Sequence, residues 1–355
     1  MQQTKRFLIY GATGFTGRLT ARTAKESGLK PVLAGRNAAK LQAIAEPLGL
    51  EYRAFELSDP GKIDAALEEV DAVLHIAGPF SATSKPMADA CLRTGTHYLD
   101  VTGEIDVFEA LAARDAEARQ AGIMLLPGVG FDVVPSDCLA VHLKEKLPDA
   151  DDLKIYIAGG SNALSRGTAR TMVEGVSLGT RVRRNGRILT ASPRPKPTAC
   201  DFGDGPMPTI AISWGDVSTA YHSTGIPNIE VRMAATAAMR MAASMPDYVR
   251  KIMATSFVQS LLKAAIDRMP EGPGEAALRS GRAVLLGVAT NAQGKTARAR
   301  LTTGQGYMLT ARTASEAARR VAAGEFKPGF QTPGLVFGAD FILGFDGVRR
   351  EDLNA

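Results

Sequence analysis

Residues 7–17, Phe7-Leu-Ile-Tyr10-Gly11-Ala-Thr13-Gly14-Phe15-Thr16-Gly17, decide how the first half of the 355-residue chain is read. Phe7–Tyr10 is a short apolar run of strand character, and a helical stretch over about 17–27 follows the glycines. Each glycine answers a different physical need. Gly11 permits the tight turn, Gly14 lets a pyrophosphate approach the backbone, and Gly17 lets the helix pack close to the strand. The helix start offers unpaired N–H groups and a positive dipole end to an anion. GxxGxxG alone is a weak pattern. Its position between an N-terminal strand and a helix, heading a βαβ unit of about thirty residues, is the context that a dinucleotide site requires. Thr13, Phe15 and Thr16 join Gly11, Gly14 and Gly17 as candidate cofactor contacts.

Outward from this loop, apolar runs and helical stretches alternate. The runs are 31–35, EYRAFEL, AVLHIAG (72–78), HYLDVTG (97–103) and IMLLPGVG (123–130); helices are expected over 38–46, 60–69, about 84–94 and 104–121. Continuous apolar strands between helices indicate a parallel sheet covered on both faces. The fold class expected is α/β, a Rossmann-type doubly wound parallel sheet with a second, α+β domain. In that second domain, strands are expected at 153–160 and 229–235 and a hairpin over 282–303. Helices are expected at 168–184 and 248–268, and a Pro-rich connector over 192–208.

The end of the second strand selects the cofactor. An NAD site places Asp or Glu there, ~20 residues past the loop, to bind the ribose hydroxyls. This chain has Ala34-Gly35-Arg36-Asn37 instead. A guanidinium forks onto a 2′-phosphate, so the expected cofactor is NADP, as NADPH in the reducing direction. Arg36 and Asn37 are candidate contacts. Asp59, after the third strand, either caps the next helix or reaches adenine. Ala77, Gly78 and Pro79, after the fourth, are expected beside the nicotinamide ribose.

Composition narrows the class. With 45% hydrophobic and 22% charged residues the chain buries a sizeable core, which excludes whole-chain disorder. Its apolar stretches are broken well before ~18 residues, and its first residues read as a strand rather than a signal peptide. Cys91, Cys138 and Cys200 are far apart and without a CxxC, as in a reducing cytoplasm. Residues 1–150 hold 16 Lys and Arg against 20 Asp and Glu, so the basic excess belongs to the second half. That excess suits an anionic substrate, nucleic acid, an acidic membrane surface or plain solvation. The cluster Arg181, Arg183, Arg184, Arg187 has no interleaved aromatics, so nucleic acid is not expected. An amphipathic stretch over 249–265 reads as a buried helix, a homodimer face or a peripheral membrane contact.

Hydride transfer needs a group that orients the acceptor and supplies a proton. The four histidines are poorly placed for this: His75 lies inside an apolar strand, His97 at the far strand end, His142 on a helix and His222 in the second half. Glu104 follows the fifth strand and Asp132 the sixth, so these are the candidate catalytic residues, each with a helix-starting role as the alternative. Asp100, mid-strand with Tyr98, reads as structural. No Tyr-x-x-x-Lys relay, HExxH or paired Cys/His spacing occurs, so no metal is expected.

GATGFTG, AGRN, IAGPF, Tyr98-Leu-Asp-Val-Thr-Gly-Glu104 and Gly128-Val-Gly-Phe-Asp-Val-Val-Pro-Ser-Asp137 together resemble the saccharopine dehydrogenase-like oxidoreductases, a group that includes trans-acting enoyl reductases. Gly306-Tyr307 and Lys327-Pro-Gly-Phe-Gln-Thr-Pro333 extend the resemblance. It implies an NADP-dependent reductase of a polarised C=C bond in a hydrophobic, small-molecule or carrier-bound substrate. The runner-up reading is an amino-acid imine reductase or saccharopine-type dehydrogenase; a non-catalytic NADP-binding regulator is the third reading. Where saccharopine-forming enzymes carry Gly-x-Asp-Pro-Gly, this chain has Gly130-Phe-Asp132-Val-Val, without the Pro-Gly, which argues against saccharopine itself. The resemblance also implies that the C-terminal segment returns to the first domain. The expected division is therefore 1–147 plus 306–355 for NADP and 148–305 for substrate or dimerisation.

Overall fold

A computed structural model describes residues 6–159, 165–175, 179–191, 196–236, 239–241, 249 and 255–353. The chain divides into two compact units, Met1–Val134 with Tyr307–Phe345, and Pro135–Gly306 with Asp346–Ala355.

In the first unit strand and helix alternate from the start: β1 (Phe7–Tyr10), α1 (Phe15–Glu26), β2 (Val32–Gly35), α2 (Ala38–Leu48), β3 (Tyr52–Ala54), α3 (Pro60–Leu67), β4 (Ala72–His75), α4 (Phe80–Thr94), β5 (His97–Asp100), α5 (Ile105–Ala112), α6 (Asp115–Ala121) and β6 (Met124–Leu126). The sheet runs β6-β5-β4-β1-β2-β3, with the short strand Gly329–Phe330 outside β6, and every pairing is parallel. Every residue of β1, β2, β4 and β5 is buried, as two helical layers require. Leu8, Val32, Val73 and Leu125 meet Ile63, Met87, Val107 and Leu111 in one core.

Two boundaries differ from the sequence reading. The helix expected from about 84 starts at Phe80, and the single helix expected over 104–121 is two. The break falls at Arg114, whose guanidinium reaches Asp89 on α4 (2.6 Å) and Glu117 on α6 (2.9 Å).

The helix Gly306–Ala322 is bonded to the segment after β6. The Thr310 hydroxyl accepts from the Phe131 N–H at 2.9 Å, and the Thr313 hydroxyl donates to the Val129 carbonyl at 2.8 Å. Residues through Phe345 accordingly lie with the first unit. The last strand, Arg349–Leu353, pairs antiparallel with Thr296–Gly304 instead, which puts residues from Asp346 in the second unit. Residues 135–147, expected in the first domain, also fall in the second.

Among the described residues, the second unit is built on a nine-stranded sheet. Its strands Asp152–Gly159 and Asn228–Ala234 and its hairpin Arg282–Thr290 with Thr296–Gly304 lie where the alternation of apolar residues placed them. Two expectations are overturned. Of the helix expected over 168–184, Arg166–Gly175 is helical, but Arg181–Arg184 is a strand that pairs with Arg187–Thr190 around Asn185 and Gly186. Both turn residues have positive φ, 50° and 78°, the demand of a two-residue hairpin turn. The connector expected over 192–208 holds a strand, Thr198–Asp201, paired with Pro206–Ile212. The amphipathic stretch over 249–265 falls partly outside the described residues; Ser256–Ile266 is helical.

Two arginines of the basic cluster serve this unit internally. Arg183 is buried, donates to the Val217 and Gly186 carbonyls and stacks 4.2 Å over Tyr221. Arg184 pairs with the buried Glu230 at 2.6 Å.

Gly17 sits where helix α1 touches the turn after β1. A Cβ there would lie 2.2 Å from the Gly11 carbonyl oxygen, a backbone atom that cannot step aside. Gly17→Ala is expected to destabilise the chain by about 1–3 kcal/mol, read as a lower urea midpoint at unchanged slope.

Candidate cofactor site

The phosphate loop is a turn of backbone held on three sides. Gly11 has φ +90°, and its N–H and that of Ala12 both donate to the Ala34 carbonyl of β2. The Gly14 N–H closes the turn onto the Gly11 carbonyl at 3.0 Å, and Arg18 reaches back to the Thr13 carbonyl at 2.7 Å. A Cβ on Gly11 would meet the Ala77 nitrogen at 2.9 Å, so the loop lies directly against the segment after β4. A Cβ on Gly14 would come near only the Gly11 oxygen, at 3.4 Å, which leaves that face of the loop open.

Helix α1 begins at Phe15 with no side-chain cap and no acidic residue in its first turn. The amides of Phe15, Thr16 and Gly17 therefore have no intrahelical acceptor, and the dipole is not neutralised from within. A helix start of this kind can receive a pyrophosphate. The Phe15 ring itself turns away to meet Tyr307 edge-on, with centroids 5.3 Å apart.

Arg36 follows β2, is exposed, and has no ion pair or hydrogen bond to any described residue. Its charge acts on the neighbouring Tyr10 hydroxyl, which burial nonetheless pushes up to about 12. Asn37 and Asp59 are used by helices. The Asn37 side chain accepts from the Lys40 N–H at 2.9 Å and starts α2. Asp59 accepts from the Lys62 N–H at 3.2 Å and starts α3; the Lys62 ammonium beside it holds its carboxyl below the usual range.

The segment after β4 carries Ala77, Gly78 and a cis-linked Pro79. Glu104, from the start of α5, crosses to it: its two carboxylate oxygens accept the Phe80 N–H at 2.9 Å and the Ser81 N–H at 2.8 Å. The carboxylate thus satisfies the first turn of α4, a helix with no side-chain cap at Pro79.

Asp132 differs. It is half-buried beside Gly103, where a Cβ would come within 3.1 Å of its Oδ2, and no described residue donates a hydrogen bond to it. Burial pushes its carboxyl up to about 6. Asp100 is fully buried and pushed by that burial to about 7, against three donors that favour its charged form: the Tyr98 hydroxyl (2.6 Å), the Thr102 N–H and the Gly128 N–H (both 2.9 Å). It ties β5 to the turn at Gly128, where φ is +77°.

The histidines are all in packed surroundings. Burial drives His75 down to about 3 and His97 down to about 4. His97 accepts the Met124 N–H at 3.1 Å, and His142 meets Asp352 in the second unit. Among the described residues no group of His, Cys, Asp or Glu is arranged to hold a metal ion. The contacts of His75 and the two-pronged grip of Glu104 on α4 carry no sequence signal, because both partners of each lie in different elements.

Residues 7–126 match the family model of the saccharopine dehydrogenase NADP binding domain. A trans-acting enoyl reductase of Mycobacterium leprae is 35% identical over 148 residues, 39% of this chain and 35% of the relative. One from Mycobacterium ulcerans is 29% identical over 150 residues, 40% of this chain and 36% of the relative. These matches span little more than a third of either relative. Among solved structures, saccharopine dehydrogenase (L-Glu forming) of Saccharomyces cerevisiae superposes with a TM-score of 0.67 over 99% of this chain and 100% of its own, at 14% identity, a likeness of fold.

Two outcomes follow from this geometry. Arg36→Asp is expected to weaken NADPH binding about ten- to hundredfold and to spare NADH, since a charge-assisted contact of about 1.5–3 kcal/mol is lost and repulsion is added; titration of both cofactors by fluorescence reads it. Asp132, near 3.9 in an unfolded chain, holds its proton more tightly when folded, so its contribution to stability is lost as pH rises from about 4 through 6. Asp132→Asn is expected to flatten that part of the slope in urea unfolding across the same range.

Proposed function

Starting from an NADP-binding domain of the saccharopine dehydrogenase type over residues 7–126, we propose that the chain is an NADPH-dependent reductase of a polarised C=C bond in a hydrophobic, carrier-bound acyl substrate. The observation that carries the cofactor half is the open, uncapped start of α1 beside the unpaired Arg36. The α1 amides and Gly14 receive the pyrophosphate, and Arg36 forks onto the 2′-phosphate. The substrate half is supported by the curated relatives, which are named trans-acting enoyl reductases.

Bound NADPH supplies the hydride. This chain supplies position and a proton. Asp132 orients the activating carbonyl of the acceptor and gives up the proton, a role that suits a carboxyl held near 6 with no internal partner. Glu104 acts through the chain rather than on the acceptor, by holding the first turn of α4. A reducing compartment, the cytoplasm, is supported by Cys91, Cys138 and Cys200, all buried free thiols. No helix among the described residues is long and apolar enough to cross a membrane.

The test is NADPH consumption against 2-enoyl thioesters of increasing chain length, with amino-acid/keto-acid imine pairs and simple alcohols with NADP as controls. Turnover of the enoyl thioesters is expected, falling as pH rises past about 6 in step with the loss of the Asp132 proton. Asp132→Asn should lower kcat at least tenfold, leave NADPH affinity unchanged and abolish that limb. Imine reduction without enoyl reduction would reassign the substrate class. Alcohol oxidation alone would overturn the reaction.

A further inference from the structure

The segment Ile76–Pro79 occupies a decisive place. β4 neighbours β1 on one side and β2 neighbours it on the other, so the carboxyl ends of β1 and β4 border the crevice in which doubly wound sheets bind ligands. Arg36 lies at the end of β2, on the 2′-phosphate side. The other half of a dinucleotide therefore points toward β4. The Ile76 N–H is spent on the Tyr10 carbonyl at 2.8 Å, and Ala77 lies hard against Gly11. Whatever fixes Ala77 fixes the wall shared by the phosphate loop and the nicotinamide end.

Thr83, one turn into α4, is that fixture. Its Oγ1 lies 2.6 Å from the Ala77 carbonyl oxygen and 3.0 Å from the Pro79 carbonyl oxygen. The hydroxyl has one proton, and the shorter contact takes it. The same Oγ1 lies 3.0 Å from Nε2 of His75, so with its proton committed the hydroxyl accepts, and His75 must donate. This sets the imidazole tautomer as Nε2–H. Nδ1, which is buried and meets no partner, is then a bare acceptor rather than a stranded donor. The ring is enclosed by Tyr10, Phe80 and Tyr98, at centroid distances of 5.5, 5.5 and 6.3 Å, and its burial keeps it neutral. A neutral ring with one available donor can point the threonine in only one direction.

We propose that Thr83, oriented by His75, is a positioning residue for the nicotinamide half of NADPH: the chain His75 Nε2–H to Thr83 Oγ1–H to the Ala77 carbonyl sets the shape of the wall on which that half rests. The assignment rests on the NADP reading above. It explains why a fully buried histidine stands in an otherwise apolar strand, with one ring nitrogen unsatisfied.

Binding of two probes to the full chain separates this role from a merely structural one. NADPH presents both halves, whereas adenosine 2′,5′-bisphosphate presents only the half next to Arg36. Thr83→Val keeps the volume and removes the hydroxyl. It is expected to weaken NADPH binding about three- to tenfold, the worth of one hydrogen bond, and to leave adenosine 2′,5′-bisphosphate within twofold. The emission of bound NADPH is expected to shift toward that of free NADPH, and Thr83→Ser to restore both readouts. Equal weakening of both probes, or of neither, would overturn the proposal, as would a Thr83→Ser variant that behaves like valine. If Thr83→Val does not fold, Thr83→Ala carries the same expectations. Wild-type protein that binds neither probe would overturn the NADP reading itself, an outcome distinct from a lost difference between probes.

Discussion

Helix α1 meets the turn after β1 with no side chain between them. The space that a Cβ on Gly17 would need is already filled by the Gly11 carbonyl oxygen and the Ala12 Cα. The first turn of α1 is thereby brought against the strand ends, and its unpaired amides are aimed across the loop rather than past it. Gly11 is squeezed from the opposite side by Ala77, so β1, α1 and the end of β4 lock one another around a small volume of backbone. The other features of the site are arranged about this contact.

Buried polar groups extend the lock along the carboxyl edge of the sheet. Asp100 holds Tyr98, Thr102 and the Gly128 turn; Glu104 holds the start of α4; His75 and Thr83 hold Ala77; Thr310 and Thr313 hold the segment after β6. Each ties a loop amide or carbonyl to a side chain from another element. Loops that would otherwise expose unsatisfied backbone are made rigid where a ligand needs a fixed surface. Asp132 stands out against this pattern, since its carboxyl is half-buried yet takes no donor. A carboxyl left without a partner costs stability.

The second unit shows how charge is spent on structure. Arg232 is buried with Glu230 and also donates to the Lys196 carbonyl, while Arg183 and Arg184 are tied to backbone and to Glu230. Part of the basic excess that composition assigns to this half therefore fastens strands together and is withdrawn from the surface.

The sequence by itself determined the parallel sheet and the phosphate loop. Apolar runs of four buried residues, helical stretches between them and three glycines at fixed spacing are local signals with local causes. Arg36 was legible as a candidate for the same reason: a short count past the loop puts it at the end of β2, where it stands exposed. Tertiary structure decided the rest. It split the stretch 104–121 at Arg114, which pairs with Asp89 on α4; the 181–190 hairpin, by contrast, turns on Asn185-Gly186 with positive φ, a local signal that the sequence already carried. Tertiary structure also gave two equivalent-looking carboxylates different surroundings. Glu104 and Asp132 each follow a strand and each precede a helix, so their sequence contexts are alike. Only the folded chain brings the Phe80 and Ser81 amides to one and leaves the other bare, because those amides lie some two dozen residues before Glu104 and meet it through the packing of α4 against α5.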